Sequence, residues 1–289
     1  TEAVKACLRH IVKRSSDAAA GSGGSAGPAT QRAKYVEDCI MQANPLLEAL
    51  GNAKTVRNGN SSRFGKWIEV QFDASGFITS SRVTSYLLEK SRVTEANHSA
   101  GERTYHSLYQ LCKGCTREQK AQLKLVNDPK DFKYIGSSAS VVVPTVEDVS
   151  WWKATCQAMD TFNFSSDDQA ALRQVLAATL HLGNLSFAVL KVEMQDDGSK
   201  VDDPSQPHLK AIEELIGLKP GSLEPAVTVK SVGKFPVVQV PQPPAKALAT
   251  RDAFAKALYG GLFEWTIQRL NTTMTAGAGP ADGKRTIGM

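Results

Sequence analysis

The chain has 289 residues, 42% of them apolar and 22% charged, which is enough apolar material for a real core in one large domain or two ordinary ones. Its net charge of +5 arises from 34 basic and 29 acidic residues scattered along the sequence, without the block of like charge or interleaved aromatics of a nucleic-acid groove, so no nucleic-acid partner is expected. The longest apolar runs, such as "SVVVP" at Ser140 to Pro144, fall far short of the roughly 20 residues that a membrane-crossing helix needs, so no membrane span is expected.

Residues 1–13 place Val4, Cys7, Leu8, Ile11 and Val12 on one face of an amphipathic helix. The Gly-, Ala- and Ser-rich run from Ser15 to Thr30 cannot bury enough surface to order itself and reads as a flexible surface loop. A second helix covers Gln31 to Ala43, and Asn44-Pro45 is expected to break or kink it before "LLEAL" resumes the pattern and Gly51 ends it. From Lys66 to Leu88 two runs rich in β-branched and aromatic residues flank "DASG", which predicts a β-hairpin. "SSDDQAALRQVLAATLHLGN" predicts a helix capped by Ser165, with Asp168 three residues on, and closed at Gly183. Gln195 to Pro207 reads as a polar loop, and Lys234 to Pro244, with four prolines, reads as a stiff exposed loop in which a regular paired strand is not expected. A final helix is predicted to start at a Thr250 cap and to stack Phe254, Leu258, Leu262 and Trp265 as a core stripe.

The five cysteines are odd in number, and three of them occupy apolar positions of helical patterns, which suggests a reducing, intracellular setting. Cys112 and Cys115 form a C-x-x-C, but no second pair or nearby histidine completes a zinc site, and the spacing reads as coincidence. The histidines show neither metal spacing nor a neighbouring nucleophile, so none is assigned a catalytic role. The chain opens in mid-helix without an initiator methionine and closes on "KRTIGM", the start of a strand, so it reads as a piece of a longer protein.

The most informative stretch is "NGNSSRFGK", Asn58 to Lys66. Asn, Gly and Ser are turn-forming residues, and a solvated turn is one reading. The other is a phosphate loop. A nucleoside triphosphate with magnesium needs backbone N–H groups and neutral amides at its phosphates, hydroxyl ligands on the metal and a positive group close by. Gly59 permits close backbone approach, Ser61 and Ser62 supply hydroxyls, Asn58 and Asn60 supply amides, and Arg63 supplies a rigid fork of donors.

"NPLLEALGNAKTVRNGNSSRFGKWIEVQF" resembles the switch I region of the myosin motor domain almost residue by residue. The likeness continues in the family's order through "YLLEKSRVTEANHSAGERTYHSLYQL", "AMDTFNFSSDDQAALRQVLAATLHLGNLSF" and "RDAFAKALYGGLFEWTIQRLN", over nearly the whole chain. The resemblance implies an α/β, P-loop NTPase-like fold with central mixed β-sheet strands surrounded by helices. It makes residues 1–14 the helix after the phosphate-binding loop, 15–30 a surface loop, 58–66 switch I, 66–88 a central-sheet hairpin, and 89–289 mostly the upper 50-kilodalton, actin-facing subdomain.

The same resemblance implies the cofactors ATP and Mg²⁺. Thr1 would be the last residue of the family's G-E-S-G-A-G-K-T loop and, with Ser62, a magnesium ligand. Ser61 would lie beside the γ-phosphate and the attacking water, Asn58 and Gly59 at the phosphates, and Asn60 would chiefly shape the loop. Arg63 would pair with the glutamate of the switch II motif D-I-x-G-F-E, which these residues do not include. The expected partner is the actin filament, approached by Gln195 to Pro207 and by the Lys-bearing loop from Ser231 to Ala247. Light chains or calmodulin would sit on a lever arm outside this sequence, and the expected location is cytoplasmic, on the cytoskeleton. The piece alone is expected to lack ATPase activity. The competing reading is a truncated actin- or partner-binding module without ATPase.

Overall fold

The computed structural model describes residues 28–74, 76–94, 101–125, 129–136, 147–191, 198–235, 237–276 and 285–288, together with Ala6, Cys7, His10 and Arg14. Those four N-terminal positions are helical, and Cys7 is exposed rather than buried on an apolar face. The rest of the expected first helix, and residues 15–27 of the expected loop, lie outside the described residues. Pro28 to Thr30 belong to a helix, not to the loop.

Helix α1 spans Pro28–Gly51 without interruption and carries Pro45 in its interior, contrary to the break expected there. Proline has no N–H for the carbonyl of Met41, one turn back. The Asn44 side-chain amide lies 3.5 Å from that carbonyl and gives it a substitute donor. Leu46, Leu47 and Leu50 of this helix are buried in the core. A two-residue strand β1 (Asn52–Ala53) pairs with β2 (Ser61–Ser62), and the hairpin follows as β3 (Gly65–Phe72) and β4 (Ile78–Tyr86). Its turn is built by Asp73, whose carboxylate accepts from Phe77 N at 2.9 Å, and by Gly76 at a φ of 87°, a conformation that glycine adopts without steric cost. A further strand, β9 (Arg285–Gly288), adds antiparallel to the other edge of β3, as the "KRTIGM" run suggested.

The helices α2 (His106–Gly114), α3 (Arg117–Gln122), α4 (Asp148–Thr161) and α5 (Ser166–Gly183) come next. Ser165 and Asp168 form the expected reciprocal cap on α5, at 3.0 Å in both directions. Gln195 to Pro207 is not the loop expected. Where described, it contains β6 (Gly198–Val201), paired antiparallel with β5 (Phe187–Leu190), then a 3₁₀ turn capped by Asp202, and the start of α6 (Gln206–Leu215). Ser199 and Val201, both buried, give that strand its inward face.

After α7 (Leu223–Thr228), the proline-rich segment also departs from expectation. Strands β7 (Val229–Val232) and β8 (Val238–Pro241) pair as an antiparallel hairpin with Gly233 at a φ of 86°. Pro241 is the last residue of β8, where no ladder donor is lost, and Pro243 and Pro244 follow the strand. Helix α8 runs Pro244–Thr275, so Thr250 is an interior residue whose hydroxyl donates to Lys246 O at 3.0 Å. Proline suits the first turn of a helix because the N–H it lacks would have no partner there. Helix α1 packs on α4 and β4, α8 on β4 and α5, and α2 on α4. One continuous core results, with Tyr109, Phe162, Tyr259 and Phe263 among its largest buried side chains.

Candidate functional site

The chain leaves the C-terminal end of α1 at Asn52, and the stretch from Asn58 to Lys66 brings it back there, closed by the pairing of Asn52 with Ser62 and Ala53 with Ser61. Arg63 N donates to Gly51 O at 2.8 Å. Gly51 is needed there, because a Cβ would lie 2.4 Å from the Phe64 ring, and that ring packs edge-on against Phe263 at a centroid distance of 5.0 Å. The loop therefore begins and ends on core residues.

Within the loop each polar side chain has a definite holder. Asn58 Oδ1 accepts from Asn60 N at 2.9 Å, an Asx turn. Asn58 N donates to Thr55 Oγ1 at 3.1 Å, and the same hydroxyl shares a 2.9 Å hydrogen bond with Ser61 Oγ. Asn60 faces inward: its Nδ2 donates to Glu48 Oε2 and its Oδ1 accepts from Asn52 Nδ2, both at 2.9 Å. Ser62 is exposed, and its hydroxyl proton goes to Phe64 O at 2.9 Å, which leaves the oxygen's lone pairs to face an incoming ligand. Asn58 is exposed, whereas Gly59 and Ser61 are half-buried.

Arg63 does not stand without a carboxylate. Its Nε lies 2.5 Å from Glu89 Oε2, and Arg92 Nε reaches the same oxygen at 2.9 Å. Burial alone would raise the Glu89 carboxyl, but hydrogen bonds from Arg63 and Arg92 and their positive charges outweigh it and hold the group below its ordinary value. Glu89 sits just past β4, and its backbone N–H donates to Arg63 O at 3.0 Å, so the end of the hairpin delivers it to the loop.

The structure thus brings Asn58, Gly59, Asn60, Ser61, Ser62 and Arg63 into one turn, while Thr1 lies outside the described residues. Neutral hydroxyls and amides are the hard oxygen donors that suit Mg²⁺ beside phosphate oxygens, and the outward Ser62 oxygen fits that set. The residues that hold the loop, Glu48, Asn52, Thr55 and Glu89, escaped the sequence reading. The one available signal was Glu48, a lone charge inside the apolar run "PLLEALG". Burial pushes the Cys112 and Cys115 thiols up, to about 12 and about 11, so both stay protonated near neutral pH. Among the described residues no group of three or more His, Cys, Asp or Glu side chains could hold a metal.

The described residues form a mixed helix-and-strand fold, in keeping with the α/β, P-loop NTPase-like class. The profile of the myosin head (motor domain) family matches residues 1–289, and the chain belongs to that family. Myosin-8 of Arabidopsis thaliana is 38% identical over 290 residues, which are 100% of this chain and 18% of that protein. Unconventional myosin-Ic of Rattus norvegicus is 38% identical over 250 residues, 86% of this chain and 23% of the relative. Myosin-16 of Arabidopsis thaliana is 40% identical over 242 residues, 83% of this chain and 19% of the relative. The chain thus spans only 18% to 23% of the length of these relatives.

Proposed function

We propose that this chain is the part of an ATP-driven, actin-based motor that carries switch I, the hairpin of the central sheet and, from residue 89 onward, most of the upper actin-facing subdomain. The observation that carries the reading is the loop itself, with Asn60 and Ser61 pinned from behind and Ser62 and Asn58 left outward.

In this reading Thr1 and Ser62 place their hydroxyl oxygens on the magnesium of bound ATP, which shields phosphate charge during hydrolysis. Asn58 and the Gly59 backbone contact phosphate oxygens. Ser61 lies beside the γ-phosphate and orients the attacking water, while Thr55 fixes the direction of its hydroxyl. Arg63 supplies positive charge at the back of the pocket, and Glu89 keeps its guanidinium in place. Phosphoryl transfer depends on positioning and charge stabilisation, so most of the loop's rigidity serves the reaction through Asn60, Asn52 and Glu48.

The actin-facing part of the reading rests on the β7–β8 hairpin. It carries Lys230 and Lys234, leaves Phe235 100% exposed, and exposes Val232, Val238 and Val240. Calmodulin-like light chains belong to a lever arm beyond these residues, and the location is cytoplasmic and cytoskeletal.

In the motor that carries this chain, Ser62→Ala is expected to lower Mg²⁺-dependent ATP turnover about 100-fold or more, while Ser199→Ala, far along the sequence in β6, leaves it unchanged. Wild-type turnover in Ser62→Ala would overturn the assignment. The 289 residues contain no G-x-x-x-x-G-K-[ST] run, so the chain alone is expected to hydrolyse no ATP. Actin-activated turnover by the isolated chain would refute that.

A further inference from the structure

Two limbs carry the chain into and out of the Asn58–Ser62 turn, and each is gripped by a different carboxylate. On the outgoing limb Val56 N donates to Glu102 Oε1 at 3.3 Å. On the returning limb Arg63 Nε lies 2.5 Å from Glu89 Oε2. One guanidinium joins the two carboxylates. Arg92, in the 3₁₀ turn Lys90–Val93 that follows β4, is only 7% exposed. Its Nε lies 2.9 Å and its Nη2 3.5 Å from the Glu89 oxygens, while its Nη1 lies 3.5 Å from Glu102 Oε2 and 3.3 Å from Arg103 O. Arg103 N in turn donates to Lys54 O at 2.9 Å, a second tie to the outgoing limb. The Arg92 backbone is fixed as well, since its carbonyl accepts from Thr104 Oγ1 at 2.7 Å.

We propose that Arg92 is a positioning residue that sets the distance between the two limbs of the turn, and with it the placement of Ser61 and Ser62, a role that rests on reading the turn as a phosphate loop. Arg92 acts on the turn through Glu89, Glu102 and Arg103. A guanidinium suits the task because its nitrogens are held in one rigid plane, so groups bound at Nε and Nη1 keep a fixed relation to each other. Without that cation the two carboxylates would repel each other across a partly buried space. Burial by itself would lower the Arg92 pKa, but Glu89 and Glu102 outweigh it and raise the group above its ordinary value, so the clamp stays charged.

Amide hydrogen exchange of the full 289-residue chain without nucleotide reads the clamp limb by limb. Glu102→Ala should quicken exchange about fivefold at Val56 and leave Ser62 and Arg63 as in wild type, and Glu89→Ala should do the reverse. Arg92→Lys, which replaces three nitrogens in a plane with one ammonium, should quicken both limbs while the amides of β3 stay unchanged. Exchange that is unchanged in all three variants, or that quickens in β3 as much as in the limbs, would overturn the clamp. In the motor that carries this chain, Arg92→Lys should lower kcat about tenfold with little change in the KM for ATP, a split that a loss of stability alone does not produce. Wild-type kcat in Arg92→Lys beside a crippled Ser62→Ala would overturn the positioning role alone. Wild-type kcat in both would overturn the phosphate reading, and the positioning role with it, whereas the limb-selective exchange is independent of ATP.

Discussion

At the scale of single residues, two of the histidines left without a role by their spacing, His181 and His208, form a directed hydrogen-bond relay. His181 Nε2 faces Leu123 O at 3.1 Å and must donate to it, so its Nδ1 carries a lone pair and accepts from His208 Nδ1 at 2.8 Å. His208 Nε2 then accepts from Asn184 Nδ2 at 3.3 Å, the amide that also donates to Asp131 O at 2.8 Å. Both rings are neutral in this chain, and a further proton has no acceptor to meet. Burial, and then the neighbouring His208, push His181 down to about 4, while burial and Lys133 lower His208. Buried His106, edge-on against Trp151 at 5.1 Å, is pushed down to about 3 by burial and then by Arg103. A depressed histidine pKa favours the neutral form in the fold. Its stabilisation is therefore complete above the unfolded pKa of 6.5 and is lost as pH falls from there toward the folded values. Between pH 7 and pH 5, His181 alone should cost about 2 kcal/mol. Urea unfolding of wild type and His181→Gln at both pH values should show a smaller pH dependence in the variant. An equal loss in both would assign it to His106 and not to the relay. None of this was legible in the sequence, since the separation of 27 positions from His181 to His208 follows no local rule.

At the scale of elements, local rules succeeded where the partner is a few residues away. The Ser165–Asp168 cap and the Gly76 turn were both predictable from spacing. They failed where a distant or unexpected donor rescues a breaker, as Asn44 does for Pro45, or where prolines end a strand instead of interrupting it, as in β8. The contact between α2 and α4 is a case of pure tertiary origin. Asp148, the first residue of α4, has a side chain only 1% exposed and lies 3.0 Å from Arg103 Nη2 and 2.7 Å from Lys113 Nζ. The Arg103 guanidinium stacks 3.6 Å from the centre of the Tyr109 ring. Position 148 also lets the carboxylate meet the positive end of its own helix. Removing one partner strands a buried charge, so Asp148→Asn should lower stability by about 3–5 kcal/mol, whereas the apolar pair Arg103→Met with Asp148→Leu should lose much less. Denaturant midpoints of the two variants test this, and a double variant as unstable as Asp148→Asn would contradict it.

At the scale of the whole molecule, the fold class and the candidate loop were legible because residue types cluster in Asn58 to Lys66 and because long motifs follow one another in a family's order. What holds the loop was not legible, since Glu89 and Arg63 are 26 residues apart and meet only when the hairpin closes. The same limit applied to the β7–β8 hairpin, read as a stiff loop, and the correction bears on function. A loop presents charges in many arrangements, whereas a paired hairpin fixes where they stand. Lys230 lies in β7, opposite Val240, and Lys234 sits in the turn beside the fully exposed Phe235. An acidic filament surface should meet both the charge and the apolar tip. Long-range attraction between exposed charges is screened over about 8 Å at physiological ionic strength, while apolar contact is not. Two variants therefore separate the contributions in co-sedimentation with filamentous actin. Lys234→Glu should weaken binding most at low salt, and its defect should shrink as salt rises. Phe235→Ser should weaken it by a similar factor at every salt concentration. The chain lacks Ser, Thr, Asp and Glu from Gly233 to Ala249, so no phosphorylation or acidic charge within that span alters this balance. Wild-type binding by both variants would remove the hairpin from the actin interface and leave the filament contact to other surfaces.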